Sequence, residues 1–276
     1  MSTPSAPFTD PALIRGPLYG SPERLGQRTN ALHRAKIIGA DATETIAALA
    51  MAAHPAPARV ADIGCGRGTT TVRLARQYPT AAIVAVDQSP ALLAVVGDRL
   101  RAHNRHAHLV QADFHRLPDD VHDLDLAVAA FCLYHSPHPE QALTEIADRL
   151  VPGGVLIVTT KSADSYREVD AAIAASGLDP QATSRASLYQ SFHTGNAATV
   201  LAAAGLVTRR RLDQQHTFRF PDAGHLADYA ATNPKYQLLP ETTNEPAALA
   251  AALHACTPST PVTTTSTVTY LVTARP

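Results

Sequence analysis

The stretch Val60 to Thr71, VADIGCGRGTTT, sets an acid, Asp62, just ahead of three glycines at alternate positions, Gly64, Gly66 and Gly68. Bare backbone of this kind lets a ligand come close to the main chain. A helix starting there would add its first amides as hydrogen-bond donors. Two further acids stand downstream. Asp87 could accept hydrogen bonds from both hydroxyls of a ribose. Asp113, followed by Phe114, suits an adenine ring: the carboxylate accepts from the exocyclic amine and the aromatic side chain covers a face. The chemistry is that of an adenosine-bearing ligand. A dinucleotide turn reads G-x-G-x-x-G, and this one has Thr69 where the third glycine belongs. The spacing therefore argues against a nicotinamide dinucleotide.

These residues need strands that end where they stand. RVADIG, AAIVAVD, AHLVQAD, LDLAVAAF and GGVLIVTTK are short apolar runs that read as strands. TTTVRLARQYP, SPALLAVVGDRLRAHN and HPEQALTEIADRL read as helices between them, with Ser89 as a cap and Pro90 at a first helical position. Alternating strands and helices predict an α/β fold with a parallel sheet covered on both faces. The acids then share the carboxyl edge of the sheet, where open α/β folds bind ligands. Ahead of the sheet, a loose arm of about 20 residues leads into SPERLGQRTNALHRAKII, a helix capped by Ser21. DATETIAALAMAAH follows, with Asp41 and Glu44 in capping-box positions. Beyond Lys161 the rhythm breaks. Residues 163–195 read as helical and polar, and NAATVLAAAG as a helix capped by Asn196 and closed by Gly205. LVTRRRLDQQHTFRF and TSTVTYLVTAR read as strands, with helices between them.

The bulk numbers bound the class. The chain has 276 residues, 45% hydrophobic and 17% charged, with a formal net charge of −1. That balance argues against nucleic acid as a partner, which needs a basic footprint. Arg209, Arg210 and Arg211 form one dense run, read as solvated charge. Cys65, Cys132 and Cys256 are too far apart for a disulfide framework or a zinc site, which fits a reduced, cytoplasmic protein. No stretch reaches the about 18 apolar residues of a membrane span.

VADIGCGRGTTT, AVDQS, QADFHRLP, LDLAVAAFCLYH and LVPGGVLIVTT, in that order over residues 58–160, resemble the successive motifs of class I S-adenosylmethionine-dependent methyltransferases. The resemblance implies a Rossmann-like, mostly parallel sheet of seven strands with helices on both faces and a last antiparallel strand. It divides the chain into an arm and helices covering the cofactor (1–57) and a core (58–276) with lid insertions at about 163–195 and 218–258. It implies S-adenosyl-L-methionine as cofactor, with Asp62, Gly64, Cys65 and Gly66 at the methionine end. Asp87 and Gln88 take the ribose, Ala112, Asp113 and Phe114 the adenine, and Ala130 and Phe131 flank the sulfonium. Tyr19 and Arg28, in N-terminal segments that fold over the cofactor in such enzymes, are cofactor candidates too. Arg24 and Arg34 compete with Arg28 for the cofactor carboxylate.

The implied activity is methyl transfer to a small-molecule acceptor, at oxygen or nitrogen rather than carbon, in specialised metabolism. The fourth strand ends in AAFCLYH and lacks the Asn or Asp with Pro-Pro-Tyr of nucleobase-directed members. His135, following that strand, is the candidate catalytic base; its bland alternative is to pack the next helix. His193 is a second candidate base. His138 lacks partners for a metal, and none is expected. Tyr166, Tyr189, Tyr229 and Tyr236 fall in the segments that would roof the acceptor. Two other readings stay open: a nicotinamide-dependent oxidoreductase, and a protein that binds S-adenosylmethionine without transferring methyl. The arm could also cross to a second copy in a homo-oligomer.

Overall fold

The computed structural model describes residues 8–10, 12, 14, 16, 22–256 and 261–276. Its elements run α1 (Pro22–Ala35), β1 (Lys36–Ile38), α2 (Ala42–Ala53), β2 (Arg59–Ile63), α3 (Thr69–Gln77) and β3 (Ala82–Asp87). Next come α4 (Pro90–Arg101), β4 (His108–Gln111), β5 (Leu124–Ala130), α5 (Pro139–Asp148), β6 (Leu150–Lys161) and α6 (Arg167–Ala175). The last are α7 (Ala197–Ala203), β7 (Val207–Phe220), α8 (Ala223–Ala230), α9 (Pro246–Cys256) and β8 (Val262–Ala274). Two compact units form. A core unit holds Ala40–Lys161, Ser191–Asp213 and Val268–Pro276; an insert unit holds Met1–Gly39, Ser162–Gln190 and Gln214–Thr267.

The core sheet runs β7-β8-β6-β5-β2-β3-β4. β6, β5, β2, β3 and β4 are parallel to their neighbours, and β8 pairs antiparallel with β6. In the insert unit β1 pairs antiparallel with β7 at Lys36↔Phe218, which brings the sheet to 8 strands, one more than the resemblance implies. The extra strand comes from the end of the expected first helix. That helix stops at Ala35, because the β-branched pair Ile37-Ile38 favours an extended chain. Gly39, at φ +110, turns it where a Cβ would lie 2.5 Å from the His216 ring.

Strand alternation sorts the core. Leu126, Val128 and Ile157 face a cluster with Ile46 and Leu49 of α2, Val72 and Leu74 of α3, and Leu93 and Val96 of α4. Ala127, Ala129, Leu156 and Val158 are as deeply buried and point to the opposite face. Two caps act as expected. The Asp41 carboxylate accepts from the Glu44 amide at 3.0 Å, and Ser89 caps α4. Glu44 does not reach back to complete the box; it accepts from Arg73 of α3 at 2.8 Å. Ser21 lies outside the described residues.

Several expectations need correction. Residues 163–195 are helical only over α6. Gly177, at φ +76, ends that helix, and turns follow. The segment is also less polar inside than it reads, with Val169, Ile173 and Phe192 fully buried. Asn196 does not cap α7. Its carbonyl oxygen accepts from the His193 amide at 2.7 Å and its amide donates to Ser191 O, so the side chain is used on the preceding turn. β6 begins at Leu150, ahead of the expected start at Gly153, and runs through Pro152-Gly153-Gly154, where the Gly153 amide bonds Arg275 O.

Gly68 and Gly153 have nearly equal φ, +75 and +76, but a Cβ on Gly68 would lie 2.8 Å from Val96, whereas one on Gly153 meets nothing within 4 Å. Gly153→Ala should cost about 1–2 kcal/mol for the left-handed backbone alone. Gly68→Ala should add about 1–3 kcal/mol of overpacking. Urea denaturation of both variants checks this; equal losses would mean that Val96 yields freely.

Candidate functional site

β2, β3, β4 and β5 run in parallel, so their carboxyl ends share one edge of the core unit. The turn after β2 is built there from the backbone up. The Cys65 amide continues the β2–β3 ladder to Val86 O at 2.9 Å. Gly64, Gly66 and Gly68 then all take positive φ, at +67, +54 and +75, which L side chains resist. A Cβ on Gly64 would lie 2.6 Å from Cys132. The Gly66 amide donates to Asp87 Oδ2 at 2.8 Å, and the Ser89 amide to Asp87 Oδ1 at 2.9 Å. Asp87 thus ties the glycine turn to the start of α4 while remaining half-buried at the end of β3. Added side chains at Gly64 and Gly68 would collide with Cys132 and Val96, so the turn keeps its shape only with glycine there.

Asp62 lies behind the turn, 2% exposed, and accepts from Thr71 Oγ1 of α3 at 2.6 Å. Burial, and after the Thr71 bond the nearby Asp87, hold its carboxyl up at about 7. Burial also raises Asp87, against the backbone amides that favour its charge. Cys65 and Cys132 are buried thiols whose ionisation is suppressed by burial and by these carboxylates. Cys65 therefore shapes the turn and is no nucleophile. The whole corner disfavours further negative charge and would welcome a cation.

Asp113 stands two residues beyond β4. Its Oδ1 accepts from the His115 amide at 3.0 Å and meets His115 Nδ1 at 2.6 Å. His115 Nε2 lies 2.7 Å from Ser136 Oγ, which accepts from the His138 amide at 2.9 Å. With His115 neutral, the orientation consistent with these contacts has Nδ1 donating to Asp113 and Ser136 donating to Nε2. The adenine candidate is thereby braced from the turn after β5. Ala112, Phe114 and Gln88 are half-buried along the same edge. Sequence reasoning did not single out His115 or Ser136, although the Asp-x-His spacing of QADFHRLP was in view.

At the end of β5, Ala130 and Phe131 are half-buried. Phe131 sits at φ +57, held by its amide on Thr159 O at 2.9 Å. A non-glycine residue there is a strained feature of the kind that gathers at functional sites. Lys161, also missed, places its ammonium 5.4 Å from the Phe131 ring centre. His135 ends a short 3-10 turn, Leu133–His135, and is buried with its ring 4.7 Å from that of Tyr134. His193 receives the Gly195 amide on Nδ1 at 3.0 Å, and burial lowers its pKa. That leaves Nε2 as its donor when neutral.

The remaining candidates fall elsewhere. Arg28 belongs to the insert unit, buried, with Nη1 donating to Thr232 O at 3.2 Å. Arg34 pairs with Asp228 in the same unit. Tyr19 lies outside the described residues, as does the side chain of Arg24. Tyr166, Tyr189, Tyr229 and Tyr236 are all buried in the insert unit. Among the described residues no group of His, Cys, Asp and Glu could hold a metal ion, and no helix is long and apolar enough to cross a membrane.

A parallel sheet with a glycine turn and successive acids on its carboxyl edge defines an α/β protein that binds a nucleoside-bearing cofactor. Residues 60–154 match the family described as a methyltransferase domain, and they are a methyltransferase domain of the class I, S-adenosylmethionine-dependent type. The chain is similar to a trans-aconitate 2-methyltransferase of Methylobacterium nodulans, 42% identical over 104 residues, 37% of this chain and 38% of that one. It is also similar to a malonyl-(acyl-carrier protein) O-methyltransferase of a Paenibacillus species, 30% identical over 159 residues, 54% of this chain and 55% of the other. The matches thus span about two fifths to just over half of these relatives' length. Among solved structures, the 4+2 cyclase SpnF shares the fold with a TM-score of 0.55 at 20% identity, over 84% of this chain and 80% of that one.

Asp62 yields a prediction. Its folded pKa, about 7, lies above the unfolded value, so the folded state holds the proton more tightly. The stability this gives is complete below pH about 4 and lost as pH rises through about 7. Asp62→Asn keeps an acceptor for Thr71 without the charge. Without cofactor, its stability relative to wild type should improve by on the order of 2–4 kcal/mol between pH 4 and 8. Urea denaturation across that range measures it; parallel pH profiles would refute the burial account.

Proposed function

We propose that this protein transfers a methyl group from S-adenosylmethionine to an oxygen atom of a small-molecule acceptor. The observation that carries the reading is the paired acids at the glycine turn. Asp62 and Asp87 repel each other and are both disfavoured as anions until positive charge arrives. Bound S-adenosylmethionine supplies a cationic sulfonium whose methyl carbon is electrophilic. The pyrophosphate of a nicotinamide dinucleotide would add negative charge to the same corner, so the oxidoreductase alternative is disfavoured.

In this reading, Asp62 and the Gly64–Gly66 backbone hold the methionine end, Asp87 and Gln88 the ribose, and Ala112, Asp113 and Phe114 the adenine. His115 acts through Asp113, fixing its carboxylate. Ala130 and Phe131 flank the reacting centre, where alignment of nucleophile and methyl carbon does most of the work. His135 is proposed to take the proton of a hydroxyl acceptor; a carboxylate acceptor would need no base. Two of the matched relatives are named for a carboxylic acid, aconitate or malonyl, which supports an acidic small molecule, although others are named for quinone biosynthesis. A role in specialised metabolism fits such chemistry. The second reading, a protein that binds S-adenosylmethionine without transferring methyl, is supported by a structural neighbour that shares the fold and is described as a cyclase.

Isothermal titration with S-adenosylmethionine and S-adenosylhomocysteine tests the reading. Both should bind wild type. Asp87→Ala should weaken each by at least about tenfold, or about 1.4 kcal/mol. S-adenosylmethionine should bind more tightly at pH 8 than at pH 6 and release protons, because a cation favours ionised Asp62. A folded protein that binds neither would overturn the proposal. On a hydroxyl acceptor, His135→Ala should lower kcat about 100-fold or more with cofactor affinity unchanged. Binding of both cofactor forms without turnover on any acid, hydroxyl or amine acceptor would favour the second reading.

A further inference from the structure

An aspartate, a histidine and a serine make one hydrogen-bonded line at the carboxyl edge of the core unit. Asp113 Oδ1 meets His115 Nδ1 at 2.6 Å, and His115 Nε2 meets Ser136 Oγ at 2.7 Å. Acyl-transfer enzymes use the same three groups in the same order, with the serine as nucleophile. Here the serine end is closed. Ser136 is 0% exposed, and its Oγ already accepts the His138 amide at 2.9 Å. The open end is the other one: the Asp113 side chain is 47% exposed and that of His115 30%. The line therefore acts outward, on a ligand that meets Asp113, and Ser136 is its anchor and no nucleophile.

The inventory of donors fixes the polarity of the line. The His138 amide takes one lone pair of Ser136 Oγ, and the Ser136 hydroxyl donates to Nε2 of a neutral His115. The ring proton is then on Nδ1 and donates to Asp113 Oδ1, which also accepts the His115 amide at 3.0 Å. Two donors on one oxygen favour the ionised carboxylate, which only accepts. Both bonds fall on Oδ1, so the direction of Oδ2 is set as well.

A local turn would need the amide bond alone. The ring instead carries the line to a residue 21 positions on, in the turn after β5. The same ring stands 4.8 Å from that of Phe114. One side chain thus orients both the carboxylate and the aromatic face beside it.

Under the cofactor reading above, Asp113 and Phe114 are the groups that meet the purine. A fixed carboxylate accepts from an amine at the purine 6-position and repels a carbonyl oxygen there. A site built to bond one polar group rejects the analogue lacking it, because its own group is then left unpaired. We propose that His115 and Ser136 are positioning residues that make the site selective for a 6-aminopurine over a 6-oxopurine, by holding Asp113 as an oriented acceptor. The proposal rests on the cofactor reading and adds to it the residues, themselves out of contact with the base, that set the base preference.

The test is isothermal titration of the full chain with S-adenosylhomocysteine and with S-inosylhomocysteine, which carries an oxygen in place of the 6-amine. Wild type should prefer the adenine form at least about tenfold. In His115→Phe, which keeps a ring beside Phe114, that preference should fall at least about fivefold, through weaker binding of the adenine form alone. Ser136→Ala should lower it in the same direction by a smaller factor. Circular dichroism establishes that each variant is folded.

Equal affinity of wild type for the two ligands would overturn the proposal. So would an unchanged preference in folded His115→Phe or folded Ser136→Ala, or equal weakening of both ligands, the mark of a merely structural role. Binding of S-adenosylhomocysteine without a base preference sinks this proposal and leaves the cofactor reading standing. Binding of neither ligand by the folded protein sinks the cofactor reading and this proposal with it.

Discussion

The bond from the Gly66 amide to the Asp87 carboxylate is the constraint around which the cofactor edge is arranged. It crosses from the turn after β2 to the end of β3, and so converts two neighbouring strand ends into one rigid corner. Asp87 reaches the Ser89 amide with its other oxygen, which sets the direction in which α4 leaves the sheet. The close approach needs glycine at 64, 66 and 68, where side chains would strain the backbone. Asp62, buried beneath, ties the same turn to α3 through Thr71. A chain that pulls two carboxylates together in a dry corner holds them at an electrostatic disadvantage. Such a disadvantage is tolerable where a cation relieves it.

The two units handle charge in different ways. The core unit concentrates acid around the glycine turn and leaves it without a basic partner close enough to offset burial of Asp62. The insert unit neutralises its buried acids at once, Asp170 with Lys235 and Asp179 with Arg185. The first arrangement suits a cationic ligand. The second leaves the buried acids of the insert unit neutralised. The domain match covers only residues 60–154, all within the core unit. The sheet edge carries the glycine turn and its acids, and the fold alone does not fix what chemistry is done there.

The sequence by itself determined the parallel core: continuous apolar runs alternate with capped helices, and each signal lies within a few residues of the structure it specifies. The Asp62–Gly68 turn, Asp87, Asp113 and the strand character of β8 were legible for the same reason, while the antiparallel direction of β8 came only with the family resemblance. Strand ends inherit their place on the sheet edge from the direction of the chain. Only the tertiary structure decided the rest. Ile37-Ile38, β-branched and suited to an extended chain, became a strand because β7 also offered an edge nearly two hundred residues away in sequence, and 163–195 gave up most of its helical promise at Gly177. The contact of Ser136 with His115, which braces Asp113, spans 21 residues, and the pairing of Asp170 with Lys235 spans 65. Local pattern states which way a backbone will run and which face it will bury. Which distant side chains then meet depends on how the loops close, and a single sequence carries no local mark of that.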